Sequence, residues 1–316
     1  METITRLIES ILKENPCDLE VFYNEPMAEH STFKVGGPAD CWLKPSGDGF
    51  PMFTVALLQA ARVENVPVFI LGGGANILVA DAGIRGIVLD TGGWAGLAGQ
   101  GDGTLEFRSG TSLDTAADIA AGLGLSGLEF LAGMPGSIGG AVWMNARCYG
   151  VEIADVLKET EVVDFSGSEP QHRRIMAKKE EFAYKHSPFQ NQRSLILSAA
   201  FFVKQAEAHE IRVEMNAHRK DREDKGHYRY PSAGSIFKNN PGFGKPAGKI
   251  IDELGLRGLQ KGGAQVAPWH GNIIVNLGSA TAQDIRDLVD EVSVKVTAAT
   301  GFVFEPEVLF AGEWLY

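Results

Sequence analysis

The sequence predicts a mixed fold, α+β or α/β, on three observations. Amphipathic helical stretches and short strand-like runs are interleaved along all 316 residues, with no internal repeat and no low-complexity linker. The apolar fraction of 44% and charged fraction of 22% are ordinary for a globular chain, and a chain of this length buries a large core without disulfides or a structural metal. The 38 glycines gather in a few loops instead of recurring at a period, which suits close backbone approach to ligands.

The elements follow in order. Ile4, Leu7, Ile8, Ile11 and Leu12 recur at helical spacing, with Arg6, Glu9 and Glu14 among them, so the chain opens on an amphipathic helix and not a signal peptide. Thr32–Gly37 and Cys41–Lys44 read as short strands. Pro51 to about Asn65 reads as a helix with Phe53, Leu57, Leu58 and Ala61 on one face. Val68–Leu71, Gly86–Asp90 and Thr104–Ser109 read as strands, and Leu113–Gly122 as an alanine-rich helix. Strands are expected near Glu161–Phe165 and Leu195–Val203, then a polar helix from about Ala206 to Asp224. Ser235–Asn240 follows a loop rich in Tyr, Pro, Ser and Gly. Ala247–Leu254 reads as a helix and Asn272–Asn276 as a strand. Thr281, with Asp284 three residues on, caps a helix striped by Ile285, Leu288, Val289, Val292 and Val296. Gly301 ends it, and Phe302–Phe310 reads as a last strand.

The formal charge of −11 disfavours nucleic acid or an anionic membrane as partner, because phosphate backbones are met by clustered Lys and Arg. Cys17, Cys41 and Cys148 are odd in number and lack metal-ligand spacing, as do the seven histidines, so no metal site is expected. Free thiols fit a reducing cytoplasm. No apolar run is long enough to span a bilayer.

Three constellations carry chemistry. In Val68–Leu78 (VFILGGGANIL) a strand runs into Gly72, Gly73 and Gly74, then Ala75, Asn76, Ile77 and Leu78. Consecutive residues without Cβ let backbone N–H groups converge on an anion, a phosphate cradle with no basic side chain. A tight glycine turn explains the segment equally well, and it is neither a P-loop nor a GxGxxG. The formal GxGxxG from Gly122 follows a helix and reads as a C-cap. The second constellation is Gly127–Gly150. Its core, from Gly133 and Pro135 through Gly136, Ser137, Gly139, Gly140 and Ala141, gives a rigid turn and then a small-residue helix start with free N–H groups. Close helix–sheet packing is the rival explanation. The third is scattered over Tyr184-Lys185-His186-Ser187, Pro231–Asn239 and Phe304–Glu307. Ser235 suits a proton donor and Glu307 a charge stabiliser, although a turn serine and a solvent-facing strand glutamate explain each singly. In the basic stretch from His218 to Lys238, Lys238 and Lys225 are the candidates for substrate phosphates, against a solvated helix face for the rest. His270, in Pro-Trp-His-Gly-Asn, is a candidate pocket residue or a satisfied loop histidine.

Taken together, HSTFKVGGPAD from His30, LGGGANILVADAGIRGIVLD from Leu71, GLEFLAGMPGSIGGAVWMNA from Gly127, YKHSPFQ from Tyr184, PSAGSIFKNN from Pro231, GLQKGGAQVAPWHGN from Gly258 and FEPEV from Phe304 resemble the MurB family of UDP-N-acetylenolpyruvoylglucosamine reductases over nearly the whole chain. The resemblance implies an α+β fold. It consists of an FAD-binding module of two subdomains, similar to vanillyl-alcohol oxidase (PCMH-type) flavoproteins, at 1–64 and 65–205, then a substrate domain at 206–316. It implies non-covalent FAD with its pyrophosphate on Gly72–Leu78 and Gly133–Ala141, NADPH as co-substrate, and a small-molecule UDP-sugar as substrate. It implies a cytoplasmic enzyme of peptidoglycan synthesis, expected to be a monomer. Ser235 is then the general acid that protonates C2 of the enolpyruvyl group, with Glu307 and Lys185 stabilising the enediolate. Tyr184, Lys238, Asn239 and His270 would contact substrate.

Lys185 stands fifty positions before Ser235, a short interval that matches the family's shorter subtype, which lacks an inserted substrate-covering loop. Three positions depart from the family pattern: Lys185 where Arg is usual, Leu309 where Arg is common, and Asn240 where Pro is frequent. Lysine keeps the charge at 185 but loses the planar bidentate fork. Two other readings stand beside this one. Another FAD oxidoreductase of the same fold would hold flavin covalently through His30, Cys41 or Cys148. A silent UDP-sugar-binding protein would be colourless when purified.

Overall fold

The computed structural model describes residues 2–167 and 169–314. Contacts divide the chain into two compact units. Unit 1 is Met1–Tyr23, Asp40–Gly73 and Gly86–Lys220; unit 2 is Asn24–Ala39, Gly74–Arg85 and Asp221–Tyr316. Two early segments, Asn24–Ala39 and Gly74–Arg85, fall in the same unit as the C-terminal third.

Unit 1 is built on two sheets. In a four-stranded sheet the strands run in the order Asp18–Pro26, Pro38–Ser46, Ile84–Asp90, Val68–Leu71, and the last two are parallel. The helices Glu2–Glu14 and Phe50–Val63 bury Ile4, Leu7, Ile8 and Ile11 against Phe50, Phe53, Leu57, Ile87 and Leu89. An antiparallel five-stranded sheet runs Gln171–Met176, Leu157–Asp164, Ser194–Phe202, Thr104–Arg108, Leu97–Gly101. The helices Leu113–Gly122 and Ile138–Met144 share its core, where Ala116, Ala117, Ala120 and Ala121 meet Ile138, Val142, Ala199 and Phe201. Small side chains on the first of these helices permit that close packing.

Unit 2 holds a three-stranded antiparallel sheet, Gln260–Lys261, Ala264–Val266 and Ile274–Asn276, and a parallel pair, Ile77–Val79 with Leu309–Ala311. Its core collects Ile285, Leu288, Val289, Val292 and Val296 from the helix Ala282–Thr300 with Phe33, Leu78, Ile250, Phe237 and Phe304. The Thr281–Asp284 capping box is present, and Gly301 ends the helix at φ 74°. Asp81 accepts from the amides of Ala282 and Gln283 at 2.8 and 2.9 Å, a carboxylate set at the positive end of the helix dipole.

Three expected strands differ. Thr32–Gly37 is a turn, because Lys34 (φ 55°) and Gly36 (φ 128°) leave the extended region. Ser235–Asn240 forms only single bridges, Ser235 to Ile273 and Phe237 to Pro306. Of Phe302–Phe310, only Leu309 onward is strand, since Pro306 has no N–H for a ladder. Among the described residues no helix is long and apolar enough to cross a membrane, and no group of three or more His, Cys, Asp or Glu is placed to hold a metal.

Candidate active site

In unit 1 the two glycine segments meet. A Cβ on Gly73 would stand 2.7 Å from Gly136 Cα, and one on Gly72 would stand 2.6 Å from Ser137 Oγ. Gly73 N donates to Ser137 Oγ at 3.3 Å. Gly139 lies against Ser109, where a Cβ would come within 2.9 Å of that residue's own Cβ. Much of the glycine requirement is therefore backbone-to-backbone packing. Gly140 is different: its Cβ would meet only Ser137 Oγ, at 3.4 Å.

The free N–H groups expected at the start of Ile138–Met144 are not free. Ile138 N donates to Thr111 O, Gly139 N to Ser109 O, Gly140 N to Ser137 Oγ and Ala141 N to Ser137 O. The helix starts directly against Ser109–Thr111, which supplies the acceptors. Gly133 N is likewise taken, by Asp114 Oδ1 at 2.7 Å. Among the described residues, the amides one step earlier, of Gly136 and Ser137, donate to no protein acceptor. Ser109 Oγ, 1% exposed, has no partner either. Unpaired donors along a strip of bare backbone fit a phosphate-bearing cofactor.

The unit boundary falls between Gly73 and Gly74. In unit 2, Gly74 has φ 60° and its missing Cβ leaves room for His30 O, 2.0 Å from where that atom would lie. The amides of Gly74, Ala75 and Asn76 donate to no acceptor among the described residues. The Asn76 side chain is committed, its Nδ2 donating to Glu307 O at 3.1 Å. Ile77 and Leu78 are buried strand residues in register with Leu309 and Phe310.

Tyr184 and Lys185, in unit 1, form the tip of a tight turn closed by reciprocal bonds between Ala183 and His186 at 3.0 Å. Lys185 adopts φ 58°, and its Nζ lies 5.9 Å from the centre of the half-exposed Tyr184 ring.

The remaining candidates lie in unit 2. Asn272 clamps the segment after Ser235: its O accepts from Ile236 N, its Oδ1 from Phe237 N, and its Nδ2 donates to Phe237 O. On the other side Glu307 N donates to Ile236 O at 2.7 Å, and Lys238 N to Glu305 O at 2.9 Å. Ser235 and the buried Glu307 thus sit on adjacent backbone segments. Ser235, Asn239 and His270 line one cavity of about 270 Å³. His270 Nδ1 accepts from Asn272 N at 3.1 Å, so its proton is on Nε2. Burial, then Arg257, holds its pKa below the usual histidine value, which keeps the ring neutral.

Three of the expected substrate contacts already have protein partners. Lys238 Nζ pairs with Glu305 at 2.5 Å, and Lys225 with Asp221 at 2.7 Å. Asn239 Oδ1 accepts from Ala247 N, which begins the helix Ala247–Glu253. The same cavity is lined by Lys249, Asp252, Arg257 and Trp269, which sequence reasoning missed. Asp252 and Arg257 form an ion pair that from sequence is indistinguishable from a surface pair.

A family profile described as "UDP-N-acetylenolpyruvoylglucosamine reductase, C-terminal domain" matches residues 226–311, and one described as "FAD binding domain" matches 54–169. A UDP-N-acetylenolpyruvoylglucosamine reductase of Treponema denticola is 38% identical, covering 96% of this chain and 98% of its own. That of Caldanaerobacter subterraneus is 36% identical over 99% of both. The crystal structure of UDP-N-acetylenolpyruvylglucosamine reductase (MurB) from Thermus caldophilus superposes with a TM-score of 0.73 at 32% identity, over 93% of this chain and 99% of that one. Similarity at this level, spanning both units from end to end, leads to one conclusion: the chain belongs to the UDP-N-acetylenolpyruvoylglucosamine reductase family.

Proposed function

We propose that the chain is an FAD-dependent reductase. It consumes NADPH and converts the enolpyruvyl group of UDP-N-acetylglucosamine enolpyruvate to the lactyl ether of UDP-N-acetylmuramate, in the cytoplasm, for peptidoglycan synthesis. The observation that carries this reading is the end-to-end match to reductases of that name at 36–38% identity. The bare backbone around Gly73 and Gly136 supports the cofactor, and the cavity beside Ser235 supports the substrate.

FAD held here would supply the chemistry of hydride transfer between NADPH and the vinyl ether. The chain's own residues do the rest. In unit 1 the unpaired amides at Gly136–Ser137 would hold the cofactor's pyrophosphate. Lys185 offsets charge that builds on the substrate carboxylate, and Glu307 would stabilise the same group by sharing a proton with it. Ser235 delivers a proton to C2; a hydroxyl is a weak acid, but an enediolate is a strong base. Neutral His270, with its proton on Nε2, is a donor to substrate, and Tyr184, Lys238 and Asn239 are further contacts. Lys238 exchanges Glu305 for phosphate in that role, a swap its partial exposure permits.

Stopped-flow absorbance of the flavin tests this. Ser235→Ala should leave reduction by NADPH intact and slow reoxidation by the enolpyruvyl sugar by roughly 10²–10⁴-fold. Equal slowing of both steps would mean that Ser235 only shapes the pocket. Acid precipitation should release FAD into the supernatant; flavin retained in the pellet would point to a covalent oxidase instead.

A further inference from the structure

We infer that Gln190 is a positioning residue that fixes where Lys185 stands, by tying the Lys185 carbonyl to the helix that begins at the glycine cradle. The inference rests on the role given to Lys185 above.

The helix Ile138–Met144 leaves its last carbonyls without intrahelical partners. Val142 O takes Asn145 N and Ala141 O takes Ala146 N. Trp143 O instead receives two side chains, Ser187 Oγ at 2.7 Å and Gln190 Nε2 at 3.1 Å. A carboxamide nitrogen carries two hydrogens. The second hydrogen of Gln190 runs to Lys185 O, also at 3.1 Å, with the Met144 thioether a longer contact at 3.7 Å. Capping the helix needs only Ser187; the bond to Lys185 is not explained by capping. The other end of the turn is held too. Fully buried Asn145 donates its Nδ2 to Ala183 O at 2.9 Å, while its Oδ1 accepts from Ala154 N at 3.1 Å.

This anchoring matters because Lys185 sits at φ 58°, a conformation that a residue bearing a Cβ rarely adopts. Such strain persists only where the surroundings over-determine it. The seven-residue helix, about 10 Å long at 1.5 Å per residue, is then a spacer within unit 1. Its N-terminal end carries Ser137 and the glycines, and its C-terminal end holds the turn that presents Lys185.

Gln190→Met keeps length and bulk and removes both donors. Flavin content and reduction by NADPH should be unchanged, while reoxidation by the enolpyruvyl sugar slows by roughly 10–10²-fold through misplacement. In a Lys185→Met background the same substitution should add no further slowing, since both act through one group. Independently of activity, amide exchange across Ala183–His186 should accelerate. Ser187→Ala, which removes only the cap, should lower the melting temperature without splitting the half-reactions. If Gln190→Met does not fold, Gln190→Glu serves. It lacks a donor at neutral pH and regains one when protonated, so its reoxidation rate should recover toward wild type as pH falls. Additive slowing with Lys185→Met, unchanged reoxidation, or unchanged exchange in a folded variant would each overturn the inference; so would a Gln190→Glu rate that does not recover. A wild-type flavin that the sugar cannot reoxidise would sink the functional reading and this inference with it. A normal wild type and a slow Lys185→Met beside an unaffected Gln190→Met would sink the inference alone.

Discussion

Lys185 and Lys34 both hold positive φ, yet only Lys185 stands where the proposed chemistry needs a cation. Glycine accepts this conformation without the clash of a Cβ. Lys185→Gly should therefore melt no lower than wild type while losing reoxidation by the sugar; a variant that melts lower and still turns over would reverse both assignments. His227 makes a different residue-scale case. Its pKa is lowered to about 4, first by burial and then by Arg222, His270 and Lys225. Its ring centre lies 6.3 Å from that of His270. The fold holds the ring neutral, so its contribution to stability is full above the unfolded value near 6.5. It is lost as pH falls toward 4, where the unfolded chain binds the proton and the folded one does not. Thermal midpoints at pH 7.5 and pH 5 should fall further in wild type than in His227→Gln. Equal falls in the two proteins would show that another group governs acid sensitivity.

Among the elements, the glycine segments separate packing from ligand approach. Gly73→Ala places a Cβ against Gly136 backbone that cannot swing away, so both stability and flavin content should drop. Gly136→Val would be strained by its φ of 119° whatever it faces, which makes it a poor probe. Gly140→Val is the discriminating change, because the chain itself leaves space there. Circular dichroism should show a folded protein and absorbance a colourless one; a folded yellow protein would move the cofactor off this helix. The same contrast explains which elements are legible in sequence. Helices with a full apolar stripe, such as Glu2–Glu14 and Ala282–Thr300 with its capping box, are plain from spacing and cap residues alone. The strand Gln171–Met176 is missed because it is an exposed edge whose residues are almost all solvent-facing, so no alternation marks it. Leu97–Gly101 is missed because its two glycines argue for a loop. At the site, Ser235, Glu307 and the glycines are visible through the resemblance. Gln190, Asn145 and Arg257 are not, because their roles depend on hydrogen bonds and cavity walls made by residues distant in sequence.

Across the whole molecule the two units are written into the chain very differently. Unit 1 is complete once Lys220 has been made, whereas unit 2 draws on residue 24 and still lacks a strand at residue 300. That strand, Leu309–Ala311, pairs in parallel with Ile77–Val79, and Leu309 N donates to Asn76 O at 3.0 Å. A chain cut after Phe304 should keep the unit 1 unfolding transition in calorimetry and lose the unit 2 transition. Two intact transitions would show that the pair is dispensable. The parallel pair also sets an order of events on the ribosome. Ile77–Val79 leaves the exit tunnel more than two hundred residues ahead of the strand it waits for, an interval on the order of ten seconds or more at about 5–20 residues per second. Through that interval an apolar Ile-Leu-Val edge lies open in the nascent chain. Only Leu309–Ala311 closes it, so frameshifts and premature stops ahead of that strand would yield chains with a finished first unit and an aggregation-prone second one.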